Sequence, residues 1–344
     1  MSKWFFSFVI VLILSGGCSK KNDNVAQRQE LIGKAQGGYS DVVVVLDKKL
    51  WEKGLKSDVS FVFSEEIKGL YSVEHNFDVM HVTPKSFSSL FKKQRLIVEF
   101  EVSSLISRNN ISYKEDKFAK GQLYIKVSAK DFEDASFLFL TSTEALRIKI
   151  NDHRLRGIQE KIKPLSDLKS TEIFEQFVDA RFVLTNYYDA IIKKEGFVYF
   201  GKRAKAPCQS GQQSVCSYQT GLFVSKMDYV SKEVFDEEAF VILRDSITKK
   251  YIVGPEKPEP TYMEFERLVP IHSRVLMVDG HYCVEYKGWW SMVNATMGGP
   301  FISYLLVDEK TSSLYLIDGF VFAPNFRKRD FLMELESMIK TLKI

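Results

Sequence analysis

The sequence has few of the residues and motifs that mark catalytic or metal sites. Only five histidines occur among its 344 residues, and they are scattered. It has no glycine-rich phosphate loop of P-loop or Rossmann spacing, no His-Glu-x-x-His and no Gly-x-Ser-x-Gly. These absences argue against the standard nucleotide-binding, metalloprotease and serine-hydrolase classes, and we predict no cofactor and no metal.

Neither sign of charge is in large excess. The chain has 48 basic and 44 acidic residues, a formal net charge of +4. Nucleic-acid-binding proteins normally concentrate basic residues in a patch, so this balance argues against a nucleic-acid partner. At 45% hydrophobic and 27% charged residues, the composition is typical of a globular protein.

The longest apolar run lies at the N-terminus. Lys3 precedes an apolar segment, 4–14, which is too short to span a bilayer, and small residues at 15–17 precede Cys18. This order predicts a bacterial lipoprotein signal that is cut after residue 17, so that Cys18 carries the lipid. The alternatives are an uncleaved anchor, or a plain secretory signal with Cys18 as an ordinary thiol.

The segment after Cys18 is predicted to be a tether. Residues 18–40 are rich in Gln, Lys and Gly, a composition typical of flexible linkers. No later apolar stretch approaches the ~20 residues that a membrane-spanning helix needs. Several acyl chains on one residue give stable anchoring. We therefore expect a soluble body whose membrane contact is the N-terminal lipid.

From residue 41 the hydrophobic pattern predicts an α+β protein with two domains, 41–165 and 166–344. The first is expected to be a mixed α/β layer in the order βαβαββα. Its strands are predicted at 42–46, 77–82, 96–102 and 123–127. Asp47 is expected to cap the first helix, and helical texture from residue 131 ends at Pro164.

The second domain is expected to combine antiparallel strands with helices. Asp279-Gly280 is a strong hairpin turn signal between strands 274–278 and 281–286. Further strands are predicted at 197–200, 222–225, 301–307 and 314–322. Helices are predicted at 233–250 and from about residue 327.

The cysteines of the second domain have separate predicted roles. Cys208 and Cys216 bracket a polar loop, and in an oxidising envelope compartment a local disulfide is the natural interpretation. A metal site would need further ligands of matching spacing, and none is nearby. Cys283 lies in a predicted strand and is expected to be a small buried residue.

Four residues are candidates for ligand contact. Trp289 and Trp290 are neighbours in a predicted strand, so one ring can pack inward while the other reaches solvent and stacks on a sugar or an apolar ligand. The alternative is that one ring packs in the core and the other covers the edge of the sheet. Arg244 and Asp245 lie late in a predicted helix, where they either bind an anionic or polar ligand or form a structural ion pair.

Carboxylates are candidates for a hydrolytic site. Glu99 and Glu101 share one strand face with a spacing suited to paired carboxylates, although two exposed carboxylates on an edge strand are the commoner arrangement. Asp318 and Glu285 could join them only in the folded chain.

Two features built from histidine or from basic residues each have two interpretations. His272 and His281 lie near opposite ends of one hairpin arm, where a shared metal is an alternative to two independent histidines. The run 327–329, Arg-Lys-Arg, begins a predicted helix where cations oppose the helix dipole. Either it contacts an anionic surface or it forms a solvated face.

Several segments in order carry a resemblance to a known family: 42–51, 244–246, 251–255, 261–263, 286–290, 297–301 and 319–324. Together with the lipoprotein signal, they resemble an uncharacterised lipoprotein family of Bacteroidetes, domain of unknown function 4837. The resemblance covers nearly the whole chain and implies an envelope lipoprotein, but it implies no activity and no functional residues. The element order of the second region is similar to the PsbP/Mog1-like sandwich, an analogy of fold only.

The same resemblance bears on location. Many surface-displayed lipoproteins of this phylum carry an acidic segment after the lipidated cysteine, whereas here two lysines precede a single acid, Asp23. We therefore expect an outer-membrane lipoprotein on the periplasmic side. The leading hypothesis is a non-enzymatic binding or assembly module with a protein or glycan partner in the envelope. The alternative is an envelope hydrolase that uses paired carboxylates.

Overall fold

Two β-sheets, one in each lobe, organise the chain. The computed structural model describes residues 32–209, 214–255 and 258–344. The predicted signal peptide, Cys18 and the first part of the predicted tether lie outside these residues. Among the described helices, none combines the length and the apolar character that crossing a bilayer requires.

The N-terminal lobe is built on a five-stranded sheet in the order β2-β1-β3-β5-β4. Its strands are β1 (Asp41–Val45), β2 (Asp78–Val82), β3 (Leu96–Val102), β4 (Asn110–Glu115) and β5 (Leu123–Ala129). Four of them are parallel, and β4 pairs antiparallel with β5 at one edge. The valines of β1 are buried on both faces, as expected for an inner strand of a parallel sheet.

Helices and short turns cover both faces of this sheet. The helices are α1 (Lys48–Leu50), α2 (Lys56–Phe63), α3 (Ser89–Lys92), α4 (Phe132–Thr141) and α5 (Thr143–Ile162). One wide turn, Trp51–Leu55, joins α1 to α2. As predicted, the carboxylate of Asp47 accepts the backbone N–H of Lys49 at 2.8 Å and caps α1.

The C-terminal lobe is built on an antiparallel sheet of eight strands. Seven of them follow the order β10-β11-β12-β13-β8-β7-β6, and β9 pairs with the far end of β11. The strands are β6 (Asp189–Lys194), β7 (Phe197–Pro207), β8 (Val215–Asp228), β9 (Met263–Phe265), β10 (His272–Val278), β11 (His281–Met292), β12 (Gly298–Asp308) and β13 (Ser313–Phe322). The helices are α6 (Leu168–Val178), α7 (Glu237–Tyr251) and α8 (Arg329–Ile339).

The long helix α5 contributes to the cores of both lobes. Its first half packs Leu146 and Ile150 against the N-terminal sheet. Its second half packs Leu155, Ile158 and Ile162 against the C-terminal sheet, in the core shared with α6 and α8. Since one continuous helix serves both cores, the lobes are joined by packing as well as by the chain.

The C-terminal sheet has helices on both faces, since α7 covers the face opposite α8. The predicted α+β class is therefore confirmed, with a largely parallel sheet followed by an antiparallel one. The sequence pattern missed β4, α6, β6 and β9. Strands β4 and β6 are almost fully exposed, so they carry no hydrophobic alternation from which to predict a strand.

Candidate functional site

A cleft of about 840 Å³ lies between the two lobes. Helix α5 and the segment 65–77 form one wall, and strand β10, with the end of α8, forms the other. Seven carboxylates and six lysine or arginine side chains line it, so neither sign of charge dominates. This volume falls in the ordinary range for ligand sites.

Carboxylates of the N-terminal lobe hold the first turn of α8. Glu74 accepts the backbone N–H groups of Lys328 and Arg329 at 2.8–3.0 Å. Asp78 accepts from the guanidinium of Arg329 at 2.8 Å and from that of Arg327 at 3.0 Å. The hydrogen bond from Arg329 lowers the pKa of Asp78. Within the molecule, both arginines of the basic run 327–329 pair with Asp78, although the side chain of Arg327 stays 56% exposed.

A small hairpin, residues 65–76, reaches across to the C-terminal sheet. Gly69 has a φ of +77°, and a Cβ there would lie 2.7 Å from the backbone nitrogen of Gly288. This close approach requires glycine. Beside it, the ring of Tyr71 meets the indole of Trp289 edge-on at 5.8 Å.

The two tryptophans point to opposite faces of β11, as predicted, but only one is accessible. Trp290 is fully buried and packs against Phe320, so the proposal that it contacts a ligand is wrong. Trp289 is half-buried and covered in part by Tyr71. In the described structure it therefore makes a contact between the lobes.

A charged network lies at the base of the cleft on strands β10 to β12. The buried carboxylate of Glu285 accepts from the hydroxyl of Tyr304 at 2.7 Å and from Arg274 at 2.9 Å. Lys287 lies 3.3 Å from it. Burial acts to raise the pKa of Glu285, but the positive charges of Lys287 and Arg274 outweigh it and lower the pKa to about 2.

Arg154 of α5 supports the opposite wall. Its guanidinium donates to the hydroxyl of Ser40 at 3.0 Å and lies 4.3 Å from the ring centroid of Phe77. Burial, together with the charge of Arg329, lowers its pKa to about 10. The Nε–H of Arg154 has no hydrogen-bond partner in the described part of the chain.

Arg244 forms a structural ion pair, one of the two alternatives that the sequence left open, and Asp245 makes a structural backbone contact. Arg244 is fully buried and makes a two-pronged contact with Asp318, at 2.7 and 3.3 Å. The hydroxyl of Ser303 donates to the same carboxylate at 2.5 Å. Asp245 accepts the backbone N–H of Phe265 at 2.8 Å and so ties α7 to β9. The sequence could not name these partners, because Asp318 is 74 residues and Phe265 is 20 residues away along the chain.

The four carboxylates of the hydrolase hypothesis do not converge. Glu99 accepts from Tyr124 and Glu101 pairs with Lys126, both on the N-terminal sheet. Strand β3 is an inner strand, so the expected edge position was also wrong. On the C-terminal sheet, Asp318 lies on the face that α7 covers, where it binds Arg244. Glu285 lies on the opposite face, which α8 covers, and binds Tyr304.

The remaining predictions concern histidine and cysteine. His281 faces Val278 at one end of β10, and His272, which pairs with Lys287, lies six residues from Val278 at the other end. At ~3.3 Å per residue this is a separation of about 20 Å, so the two histidines cannot share a metal. A disulfide joins Cys208 and Cys216, as predicted from the loop, and Cys283 is buried in β11.

Sequence reasoning missed Arg154 and Arg274, which line the cleft. It also missed Glu74 and Asp78, which hold the first turn of α8. One signal was present. Three consecutive cations where a helix dipole disfavours them favour nearby anions. In the structure Asp78 accepts from the two guanidinium groups, and Glu74 accepts from the backbone of the same turn. The sequence could not say where along the chain those anions lie.

Comparison with known proteins gives two family matches. The model described as domain of unknown function DUF4837 matches residues 167–341, about half of the chain. A second model, domain of unknown function DUF8532, matches residues 35–163. No curated protein shows significant similarity to the chain.

Solved structures show only distant similarity. The Ran-binding protein Mog1p of Saccharomyces cerevisiae is 10% identical, with 48% of this chain and 89% of that chain covered, at a TM-score of 0.31. A mutant of Mog1 gives a TM-score of 0.30, with the same identity and 90% of its chain covered. A Bacteroides thetaiotaomicron protein is 11% identical, with 48% of this chain and 44% of that chain covered, at a TM-score of 0.22. Similarity this weak carries no information about function. The match over residues 167–341 does place the chain: it belongs to the family described as domain of unknown function DUF4837.

Proposed function

We propose that this protein is a non-catalytic binding module of the bacterial cell envelope. A lipid on Cys18 holds it at the periplasmic side of the outer membrane, and it binds its ligand in the cleft between the lobes. The N-terminal sequence pattern supports the anchor. The cleft supports the binding role.

The observation that carries the proposal is the cleft itself, about 840 Å³ and lined by charged and apolar side chains of both lobes. Its buried carboxylate, Glu285, has a pKa lowered to about 2. A general acid or base works best with a pKa near the operating pH, so this carboxylate suits a fixed structural charge. This favours binding over hydrolysis.

Photocrosslinking in cells tests the binding site. A photoreactive phenylalanine analogue is placed at Ile148, which lines the cleft and is 54% exposed. The matched control is Ile242, a helical isoleucine of α7 with 61% exposure that does not line the cleft. We expect light-dependent adducts from position 148 and none from position 242. Equal labelling at both positions, or none at either, would refute the proposal.

Lipid attachment is tested separately. Cells are fed an alkyne-bearing fatty acid, and the labelled protein is detected after fractionation. We expect wild-type protein to carry the label in the outer-membrane fraction, and Cys18→Ala to lose both label and membrane association. Cys283→Ala serves as the control, since this cysteine is buried in β11. An unlabelled wild-type protein would disprove the anchor.

A further inference from the structure

Strand β10 is an edge of the C-terminal sheet. Edge strands are normally blunted by charges, bulges or cover, because their free backbone groups pair readily with other chains. The opposite edge of the same sheet, β6, carries a register irregularity at Ala190–Ile192 and is rich in charge. Strand β10 pairs with β11 without irregularity. Its Val275 and Met277 are 63% and 64% exposed.

The hairpin geometry shows which backbone groups of β10 are free. The two-residue turn, with positive φ at Asp279 and Gly280, makes Val278 and His281 a hydrogen-bonded pair. Because alternate residues of an antiparallel strand turn their backbone groups to opposite sides, Val275 and Met277 direct their N–H and C=O groups away from β11. Ser273 belongs to the same set. Within the described ranges, no backbone or side-chain group hydrogen bonds to these N–H and C=O groups.

This free edge lies in the proposed binding cleft. All residues of β10 line it, and the wall opposite includes Arg147 and Asn151 of α5. That wall favours one extended segment over a second folded sheet, whose further strands would meet the helix. Of the available ligands, a polypeptide in extended conformation offers the matching row of donors and acceptors.

We propose that the cleft binds an extended segment of a partner protein, which adds to β10 as a further strand of the C-terminal sheet. This inference rests on the proposed binding role of the cleft. Main-chain hydrogen bonds to Ser273, Val275 and Met277 supply the affinity. Apolar side chains at alternate positions of the segment lie beside Val275 and Met277, since neighbouring strands present matching faces.

Proline at position 275 tests the inference directly. Val275→Pro removes an N–H that points away from β11, so no ladder bond of the hairpin is lost, and proline is tolerated at such edge positions. Val275→Thr keeps both the N–H and the β-branched shape. The full chain, purified in detergent, is screened against a phage-displayed library of random twelve-residue peptides, and enriched peptides are synthesised for affinity measurement.

We expect enriched peptides with alternating apolar residues, an affinity loss of at least ~tenfold for Val275→Pro, and less than ~threefold for Val275→Thr. Thermal unfolding checks that both variants fold. Amide exchange in the wild type provides a second measurement that needs no variant. Bound peptide should slow exchange at Val275 and Met277 by ~tenfold or more, while the already paired amide of Val278 changes little.

Each other outcome overturns strand addition. The edge is not the binding element if no peptide is enriched. The same holds if the enriched peptides bind Val275→Pro as tightly as wild type and do not slow amide exchange at Val275. A wild-type dimer that becomes monomeric with Val275→Pro would show that a second copy occupies the edge. If either result is found together with adducts at Ile148, the binding role of the cleft stands and only the proposed strand addition of a peptide is refuted.

Discussion

Asp78, the first residue of β2, accepts a 2.8 Å hydrogen bond from Arg329, the first residue of α8, although the two are 251 residues apart in the chain. Arg329 is itself largely buried. With Glu74 on the backbone of the same turn, this contact fixes the position of α8 against the N-terminal lobe. It thereby joins the two walls of the cleft.

Removal of Glu74 should loosen this junction. Glu74→Ala deletes the acceptor for two backbone N–H groups at the start of α8, and we expect a loss of about 1–2 kcal/mol in the free energy of unfolding. Glu66→Ala, in the same hairpin and without a side-chain hydrogen bond in the described structure, is the control. Urea titration measures both. Equal effects would contradict the capping role.

The charged base of the cleft should make stability depend on acid pH. An unfolded glutamate titrates near pH 4.3, and in the folded protein the pKa of Glu285 is lowered to about 2. Its contribution is therefore complete above about pH 4.3 and is lost as the pH falls through about 2. A shift of this size corresponds to roughly 3 kcal/mol.

Glu285→Gln isolates this contribution. We expect the difference in unfolding free energy between wild type and Glu285→Gln to shrink steadily from pH 5 to pH 2, as measured by denaturant unfolding at each pH. Glu101→Gln, which removes an exposed ion pair with Lys126, should give a nearly constant difference. A difference for Glu285→Gln that does not vary with pH would be inconsistent with a lowered pKa.

Arg244 should matter for stability and not for ligand affinity. Arg244→Met leaves the buried carboxylate of Asp318 without its countercharge, and we expect a loss of about 3–5 kcal/mol. The double variant with Asp318→Leu should be less destabilised than Arg244→Met, because no lone charge remains buried. Arg267→Met removes an exposed pair and serves as the control. Denaturant unfolding of all three decides the matter, and an unchanged stability for Arg244→Met would overturn it.

The adjacent tryptophans provide a matched pair. Trp290→Ala empties a buried site and should cost about 3–5 kcal/mol. Trp289→Ala removes the edge-on contact with Tyr71 and should cost about 1 kcal/mol. Chemical denaturation of the two variants gives both values. The reverse order would mean that Trp289 belongs to the core.

Much of the fold could be predicted because its signals are local. The valine run of β1, the Asp-Gly turn before β11 and the apolar stripe of α8 each specify an element within a few residues. Exposed elements such as β4 and β6 carry no such signal. The candidate site was mostly missed for a different reason: its groups come from hairpin 65–76, helix α5 and strand β10, which no periodicity relates.

The sequence by itself determined most of the buried elements, the α+β class and the expected pairing of Cys208 with Cys216, because periodicity, turn chemistry and short loops act between near neighbours. The tertiary structure alone decided that Arg244 meets Asp318, that the segment 327–329 meets Glu74 and Asp78, and that the edge of β10 opens into a cleft. These are contacts between residues tens to hundreds of positions apart. Their energies depend on burial and on distances of a few ångströms, which exist only once the chain has folded.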